Sequence, residues 1–353
     1  MTSRREFIRD GAMAAAGALG ATATAQNVAA NTGMVWGLLL HFGNNFFYRR
    51  KPLEKLEVEL DAFRRITERM AADGLNMVLI DVLEAVRYPS HPELGIAGSY
   101  EPEAFVAELD RLRALGLEPL PKLNFSTAHH DWLGKYSRMV SSPTYYQVCA
   151  DVIRDTAKMF GGPRYFHIGM DEESLRFLQR RDVFTMRQGD QWWHDLGFLQ
   201  GEVEKQGARA WMWCDRFWYH HDEFCSRASR KIVMANYFYS HVFDVEFYRK
   251  IIDKDPIGYY GLTSYAELEK ADFDQIPTCS NYMSPGYRKN HPGFHNLENT
   301  FKTVEWCKAR ISPAHLKGFL SAPWAECTAQ QLDYHYEASR ILGEAKRRYE
   351  AGA

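Results

Sequence analysis

The stretch Tyr165 to Glu173, YFHIGMDEE, places three carboxylates in a row directly after a short apolar run. Asp171, Glu172 and Glu173 carry like charges, and crowding them costs free energy unless a proton, a cation or a ligand compensates. Two adjacent carboxyl groups in different environments can act as a proton donor and a charged partner. The alternative is structural, because acids also favour the first turn of a helix. The segment is the first candidate for a catalytic site.

Polar and aromatic residues also follow the other apolar runs of the chain. In sequence order they are His41, Asn44, Asp81, Glu84, Asn124, His129, His130, Asp215, Asn236, Tyr239, Asn281, Tyr282, Trp324 and Glu326. Carboxylates and amides form hydrogen bonds with hydroxyl groups, and the broad faces of tryptophan and tyrosine suit sugar rings. These residues are compatible with a carbohydrate as the bound partner, although a large core accounts for most of the aromatic residues.

A metal site is a second interpretation of some of these residues. His129 and His130 could bind a divalent cation together with Asp81 or Asp215, or they could simply lie in a surface loop. No HxxxH or HxH spacing supports a metal site. The sequence therefore predicts neither a metal nor another cofactor.

These residues must be positioned by the elements that precede them. Short apolar runs alternate with longer amphipathic stretches, and the runs are 35–41, 76–80, 117–123, 165–168, 208–214, 231–236, 276–282 and 316–322. Helical patterns cover 54–72, 103–115, 145–160, 191–205 and 329–349, whereas 244–275 could hold an extra helix or a displaced strand. Gly74, Gly116 and Gly207 come shortly before three of the runs, as helix C-caps do.

Eight such units predict a single (β/α)8 barrel, because parallel strands joined by helices close into a ring at this number. In such barrels the active site lies at the C-terminal ends of the strands. The polar residues that follow the runs should then converge on one mouth.

Four segments of the chain resemble the β-N-acetylhexosaminidases of glycoside hydrolase family 20. HIGMDEE is similar to the family's His-x-Gly-Gly-Asp-Glu motif at the end of the fourth strand. GLLLHFGNNFF (37–47), WMWCD (211–215) and APWAE (322–326) resemble its first-, fifth- and eighth-strand segments. The resemblance is distant and is sharpest around Asp171 and Glu172.

This resemblance implies a retaining glycosidase in which the substrate's 2-acetamido oxygen attacks the anomeric carbon. Glu172 would be the general acid and base, and Asp171 would orient the acetamido group. Trp213 and Trp324 would wall the sugar, Tyr282 would hydrogen-bond the acetamido oxygen, and Glu326 would bind a hydroxyl. The implied substrate-binding set is His41, Asn44, Asn124, His129, His167, Trp213, Asp215, Tyr239, Tyr282, Trp324 and Glu326.

The chain departs from the family pattern at two points. Met170 stands where the family has its second glycine, which adds bulk beside the acidic pair. His41 and Asn44 replace an Asp-x-x-Arg whose arginine grips sugar hydroxyls. The loss of that arginine points away from an ordinary terminal N-acetylglucosamine and toward a shifted sugar specificity or a different linkage. Two other functions also stay open: a glycosidase that uses Glu326 or Asp215 as a separate nucleophile about 5 Å from Glu172, and a barrel that binds glycans without catalysis.

Composition and the N-terminus predict where the protein acts. A net charge of -2 with interspersed signs excludes a basic surface for nucleic acid or membranes. Residues 1–25 carry Arg4 and Arg5, an apolar Ala/Gly segment and Ala-Thr-Ala before Gln26, which indicates a twin-arginine signal peptide. Residues 26–353 should then form one catalytic domain in the periplasm or medium.

Six scattered cysteines without CxxC spacing indicate neither a zinc ribbon nor a compact disulfide framework. The sequence leaves the oligomeric state open.

Overall fold

The computed structural model describes residues 33–43, 53–179, 183–282 and 296–352. The predicted signal peptide and Asn44 lie outside these residues and stay predictions. Within the described residues, no helix combines the length and hydropathy needed to span a bilayer. Cys225 is partly buried, and the other five cysteines are buried and unpaired with one another.

Eight strands form at the eight predicted runs. They are β1 Val35–His41, β2 Met77–Asp81, β3 Glu118–Lys122, β4 Tyr165–His167, β5 Arg209–Trp213, β6 Val233–Ala235, β7 Thr278–Cys279 and β8 Gly318–Ser321. All sheet pairings are parallel, in the order β6-β5-β4-β3-β2-β1-β8-β7. Parallel bridges from Met234 to Gln275 and from Tyr237 to Thr278 join the two ends. The predicted (β/α)8 barrel is confirmed.

Strand alternation divides the core into two layers. In β1, Val35 and Leu39 point into the barrel, whereas Leu38 and Leu40 pack against the surrounding helices. Both faces are apolar because a parallel barrel is covered on the outside by helices and filled on the inside by side chains. The runs therefore read as continuous apolar segments rather than alternating ones.

Helices connect the strands around the outside of the barrel. In the described residues they are Leu60–Ala72, Pro102–Ala114, Pro143–Met159, Leu175–Leu178, Gly189–Lys205, Asp215–Tyr219, His221–Arg227, Val245–Lys250, Pro256–Lys270, Glu298–Lys308 and Leu332–Glu350. The uncertain region 244–275 holds two helices rather than a displaced strand. Gly74, Gly116 and Gly207 have the positive φ angles expected of C-terminal caps.

The first predicted helix begins later than expected, at Leu60 rather than near residue 54. Leu56 donates its N–H to the carbonyl of Ala97, and Lys55 forms a parallel bridge with Ala97. Backbone pairing with a distant loop therefore replaces helical hydrogen bonds over this segment. Helical periodicity could not reveal this, because the partner lies about 40 residues away in sequence.

Candidate active site

A cavity of about 240 Å³ opens at the C-terminal ends of the strands. It is lined by Lys122, Asn124, His129, Asp171, Glu172, Trp213, Tyr237, Tyr239, Tyr282 and Trp324. This volume lies below the roughly 300–1,000 Å³ of pockets that enclose drug-sized ligands. The strand ends thus bring eight of the predicted site residues together around a small space.

The backbone after β4 is tightly bent and carries the acidic pair. Gly169 has φ 74°, and a Cβ there would lie 1.9 Å from Oδ1 of Asn124, so only glycine fits. Met170 and Glu172 also have positive φ angles, 73° and 61°. Such conformations cost about 1–3 kcal/mol each in residues other than glycine and concentrate at functional sites. The bend turns Asp171 and Glu172 into the cavity instead of into a helix.

His129 bridges the two carboxylates. Its Nε2 lies 3.2 Å from Oε2 of Glu172 and 3.4 Å from Oδ2 of Asp171. Burial by itself would lower the pKa of His129, but the two carboxylates outweigh it and raise that pKa above the usual value. Asn124 donates its Nδ2 to Oδ1 of Asp171 at 2.9 Å. Asp171 is therefore fixed from two sides.

The third acid of the run, Glu173, belongs to a different environment. Its carboxylate forms a buried ion pair with Arg187 and accepts the N–H of Thr127 at 2.8 Å. Arg187 also contacts Asp195 at 3.2 Å and donates to the carbonyl of Phe125. A buried arginine thus neutralises Glu173 and ties the loop after β3 to the loop after β4.

Asp215 supports the pair from outside the cavity. Its Oδ2 accepts the backbone N–H of Glu172 at 2.8 Å. Burial, reinforced by the charges of Asp171 and Glu172, raises the pKa of Asp215 well above its usual value. The hydrogen bond from the Glu172 backbone to Asp215 positions Glu172 at the cavity.

Aromatic rings form the opposite wall. Trp213 and Trp324 lie 6.0 Å apart between ring centroids, and Tyr239 lies 6.3 Å from Trp324. Tyr237 stacks on Tyr239 at 5.5 Å. Trp324 has a positive φ of 56°, so this residue is also held in a sparsely populated backbone conformation. The cavity combines an acidic side with an aromatic side.

A row of polar residues lies across the barrel beneath the cavity. The parallel register aligns His41 with Asp81, Asp81 with Lys122, and Lys122 with His167. Oδ2 of Asp81 lies 2.7 Å from Nζ of Lys122 and 3.2 Å from Nδ1 of His41. Burial alone would raise the pKa of Asp81, but Lys122 and His41 lower it well below its usual value. Of these four residues, Lys122 reaches the cavity.

Several predicted residues do not line the cavity. His41 is held by Asp81, and its ring lies 5.8 Å from Trp324. His167 is fully buried against Trp211 and Trp213, where burial lowers its pKa well below the usual value. The backbone of Glu326 pairs with His41 in a parallel bridge.

Two other expectations change with the tertiary structure. Met170 points into the core between barrel and helices, near Arg187, so its bulk does not narrow the cavity. His129 and His130 are not surface residues, because the loop after β3 folds over the barrel and leaves His130 only 4% exposed.

Sequence reasoning missed Lys122 and Tyr237 as lining residues. Lys122 lies within an apolar run, where a lysine interrupts the apolar pattern. Alternate residues of a strand face the same side, so Lys122 faces inward together with Leu120 and Asn124. Tyr237 has the same parity as Ala235 and Tyr239. The alternation of inward- and outward-facing residues along a strand could have identified both residues from the sequence.

Among the described residues, one group of side chains could hold a metal ion. The ligand atoms of His129, Asp171 and Glu172 lie within 4.8 Å of one another. It is not the predicted alternative, since Asp81 is held by Lys122 and Asp215 binds the backbone of Glu172.

No protein-family model and no curated protein matches the chain in sequence. Solved structures do match in fold. A β-N-acetylhexosaminidase from Bacteroides fragilis aligns with a TM-score of 0.60 at 14% identity, over 89% of this chain and 65% of that one. A family 20 exo-β-N-acetylglucosaminidase from Vibrio harveyi in complex with N-acetylglucosamine gives 0.59 at 12%, over 90% and 57%.

A mutant β-hexosaminidase from Streptomyces plicatus in complex with GlcNAc aligns with a TM-score of 0.59 at 15% identity, over 87% of this chain and 63% of that one. The chain shares the fold of these enzymes. The distant resemblance in sequence is thereby confirmed at the level of the fold. The chain spans less than two thirds of the length of each of these three structures.

Proposed function

We propose that the protein is a glycoside hydrolase that removes terminal β-linked N-acetylhexosamine from glycans by substrate-assisted catalysis. The observation that carries the proposal is the placement of Asp171 and Glu172 side by side in a small cavity, with His129 between their carboxylates. The fold shared with β-N-acetylhexosaminidases supports it.

Glu172 acts as the general acid and then as the general base. It gives its proton to the glycosidic oxygen while the bond to the anomeric carbon breaks, and later takes a proton from the attacking water. The side chain is 18% exposed, so the leaving group and water can reach it. His129 and the backbone contact with Asp215 hold it in place.

Asp171 provides the electrostatic contact beside the reacting carbon. Its carboxylate is 11% exposed and is held by the Asn124 amide. In this position it accepts the N–H of the substrate's acetamido group, directs the acetamido oxygen at the anomeric carbon, and stabilises the cationic cyclic intermediate. The aromatic wall of Trp213, Tyr239 and Trp324 packs against the sugar ring.

The two-carboxylate alternative is disfavoured by the same geometry. Asp215 does not line the cavity, and its Oδ2 accepts the backbone N–H of Glu172 at 2.8 Å, so its carboxyl group is not positioned to attack a sugar bound there. Glu326 does not line the cavity either. Among the described residues, Asp171 and Glu172 are the carboxylates that line the cavity.

The test is a comparison of nitrophenyl β-glycosides that differ only in the 2-substituent. The wild type should cleave the 2-acetamido substrates and leave the 2-hydroxy substrates intact, and a thiazoline mimic of the intermediate should inhibit it. Cleavage of 2-hydroxy substrates without thiazoline inhibition would support the two-carboxylate mechanism instead. Binding without cleavage would identify a glycan-binding barrel, and loss of activity in EDTA would support a metal at His129, Asp171 and Glu172.

A further inference from the structure

Lys122 brings a buried positive charge to the floor of the cavity. It is the last residue of β3, faces inward, and is 1% exposed. Its Nζ lies 2.7 Å from Oδ2 of Asp81. In the described parts of the chain, Asp81 is the one acceptor that hydrogen-bonds this ammonium group. A lysine ammonium has three N–H donors, so donors remain for a group bound in the cavity.

The surroundings of Lys122 determine what kind of group it can bind. Asp81 is fully buried, is lowered in pKa, and is also contacted by His41. The carboxylate therefore balances the charge of Lys122 before any ligand arrives. A sulfate or carboxylate on the sugar would be attracted by Lys122 but repelled by Asp81, whereas a neutral hydroxyl can accept a hydrogen bond without adding charge.

The depth of Lys122 determines where on the sugar this contact falls. Lys122 lies two residues before Asn124, whose amide holds Asp171, and both side chains face inward. β3 ends at Lys122, and Asn124 follows it toward the C-terminal mouth of the barrel. The backbone of Lys122 thus lies deeper in the barrel than that of Asn124, whose amide holds Asp171.

We propose that Lys122 is a specificity-determining residue that donates a hydrogen bond to one ring hydroxyl of the terminal sugar. This rests on the proposed function, because it assigns a role within the same cavity. The residue selects neutral sugars with that hydroxyl free and in the correct configuration. Asp81 and His41 hold the ammonium group in place from below.

The experiment uses 4-nitrophenyl N-acetyl-β-glucosaminide and its 3-, 4- and 6-deoxy analogues. The wild type should lose roughly 10- to 100-fold in kcat/KM on one analogue, because a hydrogen bond from a charged donor is lost. Lys122→Met should lose a similar factor on the parent substrate and show no further loss on that analogue. The losses in kcat/KM caused by the Lys122 substitution and by removal of the hydroxyl should therefore not be additive.

Lys122→Met leaves Asp81 as a buried charge, so a second variant is needed. The double substitution Lys122→Met with Asp81→Asn removes both charges and should give the same deoxy profile in a folded protein. Lys158→Met, at an exposed lysine on Pro143–Met159, is the matched control and should keep the wild-type profile. Equal discrimination among the analogues by wild type and folded double variant would refute the role of Lys122.

Binding of the thiazoline separates this proposal from the proposed function. If the wild type binds thiazoline and cleaves the parent substrate while Lys122→Met keeps full deoxy discrimination, the catalytic proposal stands and the Lys122 proposal falls. If the wild type neither cleaves the parent substrate nor binds thiazoline, both proposals fall.

Discussion

The asymmetry between Asp171 and Glu172 is the sharpest prediction. Glu172→Gln removes the proton donor, so the loss should depend on the leaving group. We expect roughly 10²–10⁴-fold slower turnover of glycosides whose leaving group needs protonation, the usual contribution of a positioned acid. A nitrophenyl leaving group departs without a proton and should recover part of that loss.

Asp171→Asn should behave differently, because its role is electrostatic. The substitution keeps the shape and the contact with Asn124 but removes a charge that is 11% exposed and little screened by water. Loss of a preorganised electrostatic contact of this kind costs roughly 10²–10³-fold in kcat. The loss should be the same for nitrophenyl and alkyl leaving groups, and thiazoline binding should weaken in parallel.

The assay is a plot of log kcat/KM against the pKa of the leaving group for the wild type and both variants. Glu172→Gln should steepen the slope, and Asp171→Asn should shift the line downward without changing its slope. Glu68→Gln, at an exposed acid on Leu60–Ala72, is the control and should coincide with the wild type. The reasoning is refuted if Asp171→Asn also coincides with the wild type, or if azide restores activity after substitution of Glu326 or Asp215.

Three further predictions concern stability and export. The pKa of His129 is raised in the folded protein, so its charged form adds stability that is present below pH about 6.5 and lost as pH rises through the raised value. His129→Gln should therefore lower Tm more at pH 6 than at pH 9. An equal drop in Tm at both pH values would contradict this. Arg187→Met leaves Glu173 and Asp195 buried without their cation, so the free energy of unfolding measured by chemical denaturation should fall by about 3–5 kcal/mol. The control Lys205→Met, at an exposed lysine, should change that free energy by less than about 0.5 kcal/mol. Replacement of Arg4 and Arg5 by lysine should retain the protein in the cytoplasm, and the exported wild type should begin near Gln26; undiminished export of the variant would disprove a twin-arginine signal.

The barrel could be predicted from the sequence because its signals are local. Each strand is a short apolar run, and the helix between two strands has its own periodicity and, in three cases, a glycine cap. All eight strands form where these runs lie. The errors occur where backbone pairing is long-range, as between Leu56 and Ala97, since periodicity carries no information about a distant partner.

The residue types of the site were also readable, because polar residues after parallel strands must meet at one mouth. The sequence alone placed Asp171 and Glu172 in a pair and suggested aromatic residues around a sugar. The sequence alone could not show which of the three adjacent acids would face the cavity and be available for catalysis. That was decided by Arg187, which neutralises Glu173 from a position 14 residues away in the chain.

Tertiary structure likewise decided which polar residues reach the cavity. His167 and Lys122 are in register on neighbouring strands, but His167 lies between tryptophan rings while Lys122 lines the floor. Asp215 looks like a catalytic carboxylate in sequence, and only its burial and its contact with Glu172 identify it as a support. Residue type is a local property of the sequence, whereas burial, charge pairing and depth in the barrel depend on segments that meet only when the ring closes.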